Sequence, residues 1–310
     1  MKILVTGGAG FIASHIVDRF IQLEHDVVVV DNLSSGTKKF VNPKAVFYEV
    51  DIEDRGKIND IIKKEHPDVI NHHAAQISVR HSVTDPVFDA KANIIGLLHI
   101  LEVSKEIKVA KIIFASSGGV IYGDTDLIPT PETYQPLFPL SPYGISKLSS
   151  EKYLNYYYRN YQIPFVALRY ANVYGPRQNP HGEAGVVAIF NLRIRKNLPP
   201  QINGDGKQTR DYVYVSDVVE ANVSALTSSF AGFVNIGTGI ETDVNALASG
   251  IQSIYGTNLP AEHKSPKEGE QHRSCLDRRL AKRVLKWEPK IDLQKGLSLT
   301  REYFMSYEEE

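Results

Sequence analysis

The chain of 310 residues is long enough for two domains, and its 35 basic and 36 acidic residues give a formal net charge of −1. This balance excludes a general electrostatic attraction to nucleic acid or to anionic membranes. The single cysteine, Cys275, excludes an internal disulfide bond and a cysteine-based zinc site. No stretch approaches the roughly 20 apolar residues of a membrane helix, and no signal-peptide core follows Met1. We therefore expect a cytoplasmic protein with no membrane or nucleic-acid partner.

Short β-branched runs alternate with longer helical patterns in the first half of the chain. The predicted strands are Ile3–Thr6, Val27–Val30, Val46–Val50, Val69–Asn71, Lys111–Ser116 and Val166–Arg169. The predicted helices lie near 11–23, 54–64, 87–107 and 144–161. Continuous apolar strands that alternate with helices are typical of a parallel sheet covered on both faces. The predicted fold class is therefore α/β, with a doubly wound parallel sheet of the Rossmann type.

The pattern changes after Arg169, where Gly, Pro and Asn become denser and the apolar runs become shorter. We expect residues 1–171 to form the domain of the parallel sheet, and residues 172–310 to form mainly a second, smaller lobe. The segment near 212–238 contains apolar runs that could return to the first sheet.

A glycine-rich turn follows the first predicted strand. Gly7 and Gly10 have the spacing G-x-x-G-x-x-A, and a helix is predicted from Phe11-Ile12 onward. Small residues let the backbone approach a pyrophosphate, which binds at the helix N-terminus. Asp31 ends the next strand, where a carboxylate can accept hydrogen bonds from the adenosine ribose. The spacing predicts a dinucleotide-binding site.

The identity of the dinucleotide depends on Asp31, whose carboxylate would repel the 2′-phosphate of NADP. NAD is therefore the expected cofactor, although Lys38 and Lys39 lie close in sequence and leave the preference open. Asp51-Ile52, after the third predicted strand, is either a contact for adenine or an ordinary strand end.

Tyr143 and Lys147 lie four residues apart on a predicted helix, so they share one face. A tyrosine with a pKa of about 10 is a poor base at neutral pH. One ammonium about 4 Å away would supply the roughly 4 kcal/mol that brings this pKa to about 7. We therefore expect Tyr143 to exchange a proton with an alcohol while a nicotinamide exchanges a hydride.

Two neighbouring histidines, His72 and His73, adjoin a predicted strand end and could suggest a metal site. Adjacent residues of a strand point to opposite faces, so the pair is poorly placed to chelate one ion. No metal is expected.

The motifs resemble, in order along essentially the whole chain, the extended short-chain dehydrogenase/reductase family, and within it the bacterial and archaeal UDP-glucose 4-epimerases. The segments that carry the resemblance include Thr6–Ala13, His72–Gln76, Ser116–Gly123, Tyr143–Lys147, Leu168–Arg177, Thr209–Val215 and Phe233–Gly239. The resemblance implies an NAD-dependent enzyme that interconverts UDP-galactose and UDP-glucose through a 4-keto intermediate. It also implies a homodimer built on the helices near 144–161 and 87–107.

The same resemblance assigns residues to the site. The implied catalytic residues are Ser117, Tyr143 and Lys147, with Ser116 as the alternative hydroxyl. The implied NAD contacts are Gly7, Gly10, Phe11, Ile12, Asp31, Asn32, Ser35, Gly36, Asp51, Ile52, Ala74, Ala75, Gln76, Asn93, Tyr143, Lys147 and Tyr170. The implied nucleotide-sugar contacts are Ser117, Tyr143, Asn172, Gly185, Val186, Val187, Phe190, Gln201, Ile202, Arg210, Tyr212, Lys267, Glu270 and Arg273.

Some of these assignments have alternatives. Arg210 suits a diphosphate because guanidinium binds phosphate oxygens in pairs, but it could instead pair with Asp205 or Asp211. The second phosphate contact is either Lys267 or Arg273. In the family, a small residue at the position of Ser274 opens the sugar pocket, which implies room for an N-acetyl group. The alternatives are that Ser274 only packs, or that Cys275 is the border of that pocket.

Two other functions are considered. A nucleotide-sugar 4,6-dehydratase or decarboxylase needs a further acid or base, and the dehydratases of the family carry an Asp-Glu pair where this chain has Gly118-Gly119. A catalytically silent NAD-binding sensor is disfavoured because Ser117, Tyr143 and Lys147 are all present.

Overall fold

The computed structural model describes residues 1–181, 185–266 and 271–307. Its strands are β1 (Lys2–Thr6), β2 (Asp26–Asp31), β3 (Val46–Glu49), β4 (Val69–His72), β5 (Lys111–Ser117), β6 (Phe165–Tyr170), β7 (Asn172–Tyr174), β8 (Gln201–Asn203), β9 (Thr209–Arg210), β10 (Tyr212–Tyr214), β11 (Gly232–Ile236), β12 (Thr242–Asp243) and β13 (Glu262–Lys264). Its α-helices are α1 (Phe11–Gln22), α2 (Arg55–Glu65), α3 (Val79–Thr84), α4 (Pro86–Ala90), α5 (Gly96–Ile107), α6 (Gly118–Ile121), α7 (Pro142–Tyr161), α8 (Val186–Arg195), α9 (Val215–Thr227), α10 (Val244–Tyr255), α11 (Arg279–Leu285) and α12 (Leu293–Met305).

The central sheet contains seven strands within the described residues, in the order β11-β6-β5-β4-β1-β2-β3. Every pairing in it is parallel. All six strands predicted from the sequence belong to it, and the predicted doubly wound α/β fold is confirmed. The carboxyl ends of β1, β4, β5 and β6 lie side by side, which is where such sheets bind ligands.

The strands alternate their side chains between two cores. Val5 and Leu168 pack with Val17 and Val218 on the face covered by α1 and α9. The strand side chains that point the other way, such as Leu4, pack on the opposite face, against α2, α5 and α7. Trp287 closes the first core, and its Nε1 donates to the Asp217 carbonyl at 2.8 Å. Both faces of the sheet are therefore buried, as parallel sheets require.

The helix predicted near 87–107 is wrong as one continuous element. It is divided into α4, a π-helical turn at Lys91–Ile95, and α5. In that turn Asn93 donates from Nδ2 to the Gln76 carbonyl at 3.0 Å and to Asp89 Oδ1 at 2.9 Å. A π-helical turn of this kind often marks a functional segment, and here it directs Asn93 to the end of β4.

The second lobe has its own core, formed by α8, α10, α12 and short two-stranded sheets. The segment near 212–238 divides between the two parts of the molecule. β10 pairs with β7 outside the central sheet, whereas β11 pairs with β6 and forms the edge of the central sheet. No helix of the described residues is long and apolar enough to cross a bilayer.

Candidate active site

A narrow cradle follows β1. Gly7 has a φ of +70°, and a Cβ at this position would lie 2.7 Å from the Ala74 nitrogen. The Gly7 carbonyl accepts from the Gly10 amide at 3.0 Å, which turns the chain into α1. Gly10 precedes Phe11 as the N-cap of α1 and has no side chain to cover the free amides of the first turn. This cradle fits the pyrophosphate of a dinucleotide.

The Asp31 carboxylate lies beside the cradle. Its Oδ2 accepts from the Ala9 amide at 2.9 Å, and its Oδ1 accepts from the Leu33 amide at 2.8 Å. Burial raises the pKa of Asp31, and these two backbone hydrogen bonds oppose that rise. The Thr37 amide donates to the Ala9 carbonyl at 3.1 Å, which holds the segment with Ser35 and Gly36 against the same turn.

Next to the cradle, a side-chain hydrogen bond links the segments that follow β2 and β3. Asn32 donates from Nδ2 to Asp51 Oδ2 at 2.8 Å, while Asp51 Oδ1 accepts from the Glu53 amide. Ile52 is buried in the core under α5. The structure thus brings the candidate adenosine contacts to one edge of the sheet.

A buried hydrogen-bond network connects the ends of β4 and α4 with α7. Asp89, which is fully buried, accepts from Gln76 Nε2 at 2.9 Å and from Asn93 Nδ2 at 2.9 Å. Its second oxygen accepts from Ser146 Oγ at 2.6 Å. Ser150, one turn further on, donates to the Asn93 carbonyl at 3.0 Å. Two of the candidate NAD residues therefore fix the helix that carries Tyr143 and Lys147.

Tyr143 and Lys147 lie in the first two turns of α7. The helix begins at Pro142, and the Ser141 hydroxyl caps it by accepting from the Gly144 amide at 3.2 Å. The Lys147 ammonium donates to the Ala115 carbonyl at 2.9 Å and lies 5.8 Å from the centre of the Tyr143 ring. Burial lowers the pKa of Lys147 to about 8, against the opposing charges of Asp89 and Glu151. A lysine with this pKa is still mostly charged at neutral pH.

The expectation that Lys147 brings the pKa of Tyr143 down is wrong for the protein chain alone. Burial raises the pKa of Tyr143 above the ordinary value of a tyrosine, and the negative charge of Asp89 raises it further. The physical reason is burial, because removing the phenolate from water costs more than the attraction of the Lys147 ammonium, 5.8 Å from the ring centre and bonded to the Ala115 carbonyl, returns. Spacing along a helix predicted the pairing but could not predict this burial.

The two candidate hydroxyls at the end of β5 have different surroundings. Ser116 is buried and donates from Oγ to Glu151 Oε1 at 2.7 Å. Glu151 also binds Arg169 through two hydrogen bonds of 2.9 and 2.7 Å, and both charged side chains are at most 3% exposed. Ser117 is half-buried at the last position of β5. The Ser116 hydroxyl is therefore already committed to an internal network.

That network continues away from the cleft and was not found from the sequence. Arg169 donates from Nη1 to the Tyr122 hydroxyl at 2.8 Å, and Tyr122 donates to Asn235 Oδ1 at 2.7 Å. Of its members, Glu151 has a local signal, because it follows Tyr143 and Lys147 on the same helical face at spacing four. The others come together only through the order of the strands.

Tyr170 and Asn172 lie at the junction of the two parts of the molecule. The Tyr170 hydroxyl is hydrogen-bonded to His73 and Asn222. The Asn172 amide donates to the Asp211 carbonyl at 2.9 Å. The Asp211 carboxylate accepts hydrogen bonds from Thr238, Gly239 and Leu276. It therefore anchors the backbone around the cleft.

The candidate nucleotide-sugar residues fall into two groups. Four of them have side chains in the core of the second lobe: Val187, Phe190, Ile202 and Tyr212. Gly185 and Val186 lie at the start of α8 beside that core. Gln201 is exposed and donates to Glu262 at 2.8 Å. The apolar candidates thus belong to the core of the second lobe, whereas the polar candidate Gln201 lies at its surface.

The polar residues are brought together around β9. Arg210 donates from Nη1 to the Thr209 carbonyl at 2.7 Å. Thr209 forms a β-bridge with Arg273, whose guanidinium makes hydrogen bonds of 2.9 and 2.6 Å with Glu241. Lys267 and Glu270 lie outside the described residues, so the choice between Lys267 and Arg273 stays open.

Comparisons with known proteins agree with this geometry. Residues 3–237 match the NAD dependent epimerase/dehydratase family. The UDP-glucose 4-epimerase of Mycolicibacterium smegmatis is 42% identical over 98% of both chains. The crystal structure of the UDP-glucose 4-epimerase of Thermotoga maritima with UDP-glucose is 50% identical with a TM-score of 0.97, covering 98% of this chain and 99% of the other. That of the Thermus thermophilus enzyme in complex with NAD is 41% identical with a TM-score of 0.94, covering 99% of both. The chain therefore belongs to the NAD-dependent epimerase/dehydratase family.

Proposed function

We propose that this protein is a UDP-glucose 4-epimerase that interconverts UDP-galactose and UDP-glucose through a 4-keto intermediate. The observation that carries the proposal is the pair of Tyr143 and Lys147 at the carboxyl end of β5, fixed by Asp89 to the candidate NAD residues. The relative from Mycolicibacterium smegmatis and the two structural neighbours have the same activity in their names, and the two structures were solved with UDP-glucose and with NAD.

NAD, when bound, supplies the acceptor for the hydride from the sugar and returns it without net redox change. The cradle of Gly7 and Gly10 would hold the pyrophosphate at the start of α1. The Asp31 carboxylate would accept hydrogen bonds from the adenosine ribose and repel a 2′-phosphate. Because the cradle and Asp31 are already positioned by backbone hydrogen bonds, we infer that NAD stays bound between turnovers.

Tyr143 is the proposed residue that accepts the proton of the sugar hydroxyl and returns it. In the chain alone, burial keeps the Tyr143 hydroxyl protonated. Its deprotonation therefore needs more positive charge than Lys147 supplies, and oxidised nicotinamide is a cation. We expect Tyr143 to act as a base with the oxidised cofactor and as an acid once that charge is gone.

Ser117 is the proposed hydroxyl partner of the substrate. Ser116 is held by Glu151, and releasing it would leave a buried carboxylate oxygen with one hydrogen bond fewer. Ser117, one residue later, has no such commitment to Glu151.

Residues 172–310 are proposed as mainly the nucleotide-sugar lobe. Arg210 is the proposed diphosphate contact, since its guanidinium lies against the Thr209 carbonyl, and Arg273 is the second candidate, since its backbone pairs with Thr209 and its guanidinium shares Glu241 with the Thr209 hydroxyl. Guanidinium binds phosphate oxygens in pairs. To reach a phosphate, Arg273 would have to give up its hydrogen bonds to Glu241.

Dehydration is disfavoured by the two residues after Ser117. Gly118 and Gly119 stand where the dehydratases carry an Asp-Glu pair, and neither has a side chain that could transfer a proton. This chain therefore lacks, at these two positions, the further acid that elimination needs.

A homodimer is part of the proposal. Exposed apolar side chains cluster on α7 and on the helices packed against it, among them Ile145, Tyr153 and Tyr156 on α7 and Val83 and Val87 on α3 and α4. Contiguous apolar surface of this kind marks interaction sites. We also propose a cytoplasmic location, where the one cysteine, free and buried, stays reduced.

The test is to incubate the purified protein with UDP-galactose without added NAD and to separate the products. Conversion to UDP-glucose, with no NADH released, is the expected result. Formation of a 4-keto-6-deoxy sugar, or one NADH released per turnover, would contradict the proposal. A Tyr143→Phe variant prepared in parallel controls for a contaminating epimerase.

A further inference from the structure

His73 is a polar side chain at the cleft that the proposed function leaves unused. Its ring lies against that of Tyr170, with ring centroids 5.9 Å apart and an angle of 28° between the planes. Its Nε2 is 3.1 Å from the Tyr170 hydroxyl oxygen. Its Nδ1 is buried and has no hydrogen-bond partner among the described residues. A buried nitrogen without a partner calls for an explanation, because leaving it unpaired is costly.

The surrounding hydrogen bonds favour one of the two neutral forms of the His73 ring. Asn222 donates from Nδ2 to the Val218 carbonyl at 2.9 Å, and this fixes the orientation of its amide because a carbonyl only accepts. The second hydrogen of Nδ2 goes to the Tyr170 hydroxyl oxygen at 2.8 Å. Asn71 donates to Asn222 Oδ1 at 2.9 Å, in agreement with this orientation. The hydrogen of the Tyr170 hydroxyl is then available to His73, and we take Nε2 as its acceptor.

The His73 imidazole is neutral. Burial, followed by the positive charge of Lys147, lowers the pKa of His73 to about 3. A neutral imidazole has a single N–H, and the other nitrogen is an acceptor. With Nε2 as the acceptor of the Tyr170 hydrogen, the ring hydrogen is on Nδ1. The nitrogen without a partner is thus a hydrogen-bond donor that needs an acceptor.

The residue lies between the cradle and Tyr170. The His73 amide donates to the Thr6 carbonyl at 3.1 Å and to Thr6 Oγ1 at 3.2 Å. A Cβ on Gly7 would come within 2.9 Å of the His73 carbonyl carbon. His73 therefore borders the turn proposed for the pyrophosphate on one side and the candidate NAD contact Tyr170 on the other.

We propose that His73 Nδ1–H donates a hydrogen bond to an acceptor oxygen on the nicotinamide half of the dinucleotide, and that Tyr170 and Asn222 hold it in this tautomer. The inference rests on the proposed function only in taking NAD as the bound group. Tyr170 then contributes to NAD binding in part through His73, because the hydrogen bond from its hydroxyl to Nε2 keeps the ring hydrogen on Nδ1.

The first test is nitrogen NMR of the ¹⁵N-histidine-labelled protein, as the NAD-bound form and after removal of NAD. We expect His73 in the Nδ1–H form in both, with its N–H resonance shifted when NAD is present. An Nε2–H tautomer would overturn the inference. So would an Nδ1–H resonance that NAD binding leaves unmoved, because the acceptor would then be a water molecule. A protein that binds no NAD would overturn both this inference and the proposed function.

The second test is the His73→Phe variant, which keeps an aromatic ring against Tyr170 and removes the donor. Loss of one such hydrogen bond is expected to raise the Kd for NAD about tenfold. His81→Phe is the matched control, because His81 is exposed and its ring stacks on Phe88 with centroids 5.0 Å apart. An unchanged Kd in His73→Phe would count against the inference. The NMR measurement on the unmodified protein decides the question if that variant does not fold.

Discussion

The two halves of the candidate cleft are held in different ways. On the cofactor side, Asp31, Gln76 and Asn93 are fixed by short hydrogen bonds to the backbone or to buried Asp89. On the nucleotide-sugar side, Gln201 and Arg273 are exposed and bonded to the carboxylates of Glu262 and Glu241. The proposed cofactor residues are thus already held in place, whereas Gln201 and Arg273 would have to exchange protein partners for ligand oxygens if they bind the nucleotide sugar.

This difference matches the two roles in the reaction. A cofactor that returns its hydride to the same sugar must remain bound, so a rigid, buried frame is suitable for it. A substrate must leave after each turnover. Exposed ion pairs contribute about 0–1 kcal/mol and open easily, so they do not hinder this exchange.

Tyr143→Phe should have the largest effect. The ring would still pack, but the hydroxyl that exchanges the proton is gone, and general acid–base catalysis contributes roughly 10²- to 10⁴-fold. We expect kcat to fall by that factor while NAD remains bound at the level of the unmodified protein. Turnover and bound NAD per chain are both measured. Near-normal turnover would remove Tyr143 from the proton transfer.

Glu151→Gln tests the buried frame behind the catalytic helix. Glu151 and Arg169 are at most 3% exposed, and breaking a buried pair costs roughly 3–5 kcal/mol. The free energy of unfolding should fall by about this amount in urea. Glu106→Gln is the control, because Glu106 pairs with Lys63 at the surface with both side chains about half exposed, and its loss should cost at most about 1 kcal/mol. Equal losses of unfolding free energy in the two variants would contradict the expectation that the buried pair stabilises the fold more than the surface pair does.

The local parts of this architecture could be predicted from the sequence. Runs such as Val27–Val30 have few alternatives to a buried strand. The turn from Gly7 to Gly10 and the pair Tyr143–Lys147 are encoded within a few residues, so their spacing identifies them. The burial that raises the pKa of Tyr143 was not predictable, since it comes from elements elsewhere in the chain.

Contacts between distant residues could not be predicted in the same way. His73 meets Tyr170 across 97 residues, because the strands β4 and β6 end on either side of β5. The π-helical turn at Lys91–Ile95 is likewise associated with the bond from Asn93 to Gln76, which lies 17 residues earlier. A periodic helical pattern contains no sign of that bond.

Arg210→Ala and Arg273→Ala test the exchange of partners on the nucleotide-sugar side. A hydrogen bond to a charged group contributes about 1.5–3 kcal/mol, so loss of Arg210 should raise KM for UDP-galactose roughly 10- to 150-fold. Arg273 must first leave Glu241, which offsets part of its gain, and its loss should raise KM less. KM measured for the two variants side by side decides the order. A larger effect at Arg273 would identify it as the main diphosphate contact.

Ser274→Tyr tests the size of the sugar pocket. Ser274 is buried, and its amide donates to the Thr209 carbonyl at 3.2 Å, which places it beside Arg210. We expect the unmodified protein to accept UDP-N-acetylglucosamine as well as UDP-glucose. Differences in pocket size are worth about 1–3 kcal/mol, so the variant should lose at least about fivefold in kcat/KM for the N-acetyl substrate and less for UDP-glucose. No N-acetyl activity in the unmodified protein would refute this expectation and leave the epimerase assignment intact.

The pH dependence of kcat gives the most gradual effect and tests the cofactor side again. Burial lowers the pKa of Lys147 to about 8, so its ammonium is present below that pH and is lost as the pH rises through it. Tyr143 then loses the charge that favours its deprotonated form, and kcat should fall by up to about tenfold per pH unit above pH 8. In Lys147→Arg the guanidinium stays charged, so the decline should move to higher pH even if the rate is lower throughout. A decline at the same pH in both proteins would mean that another group titrates there, and that Lys147 serves mainly to hold α7 to the Ala115 carbonyl.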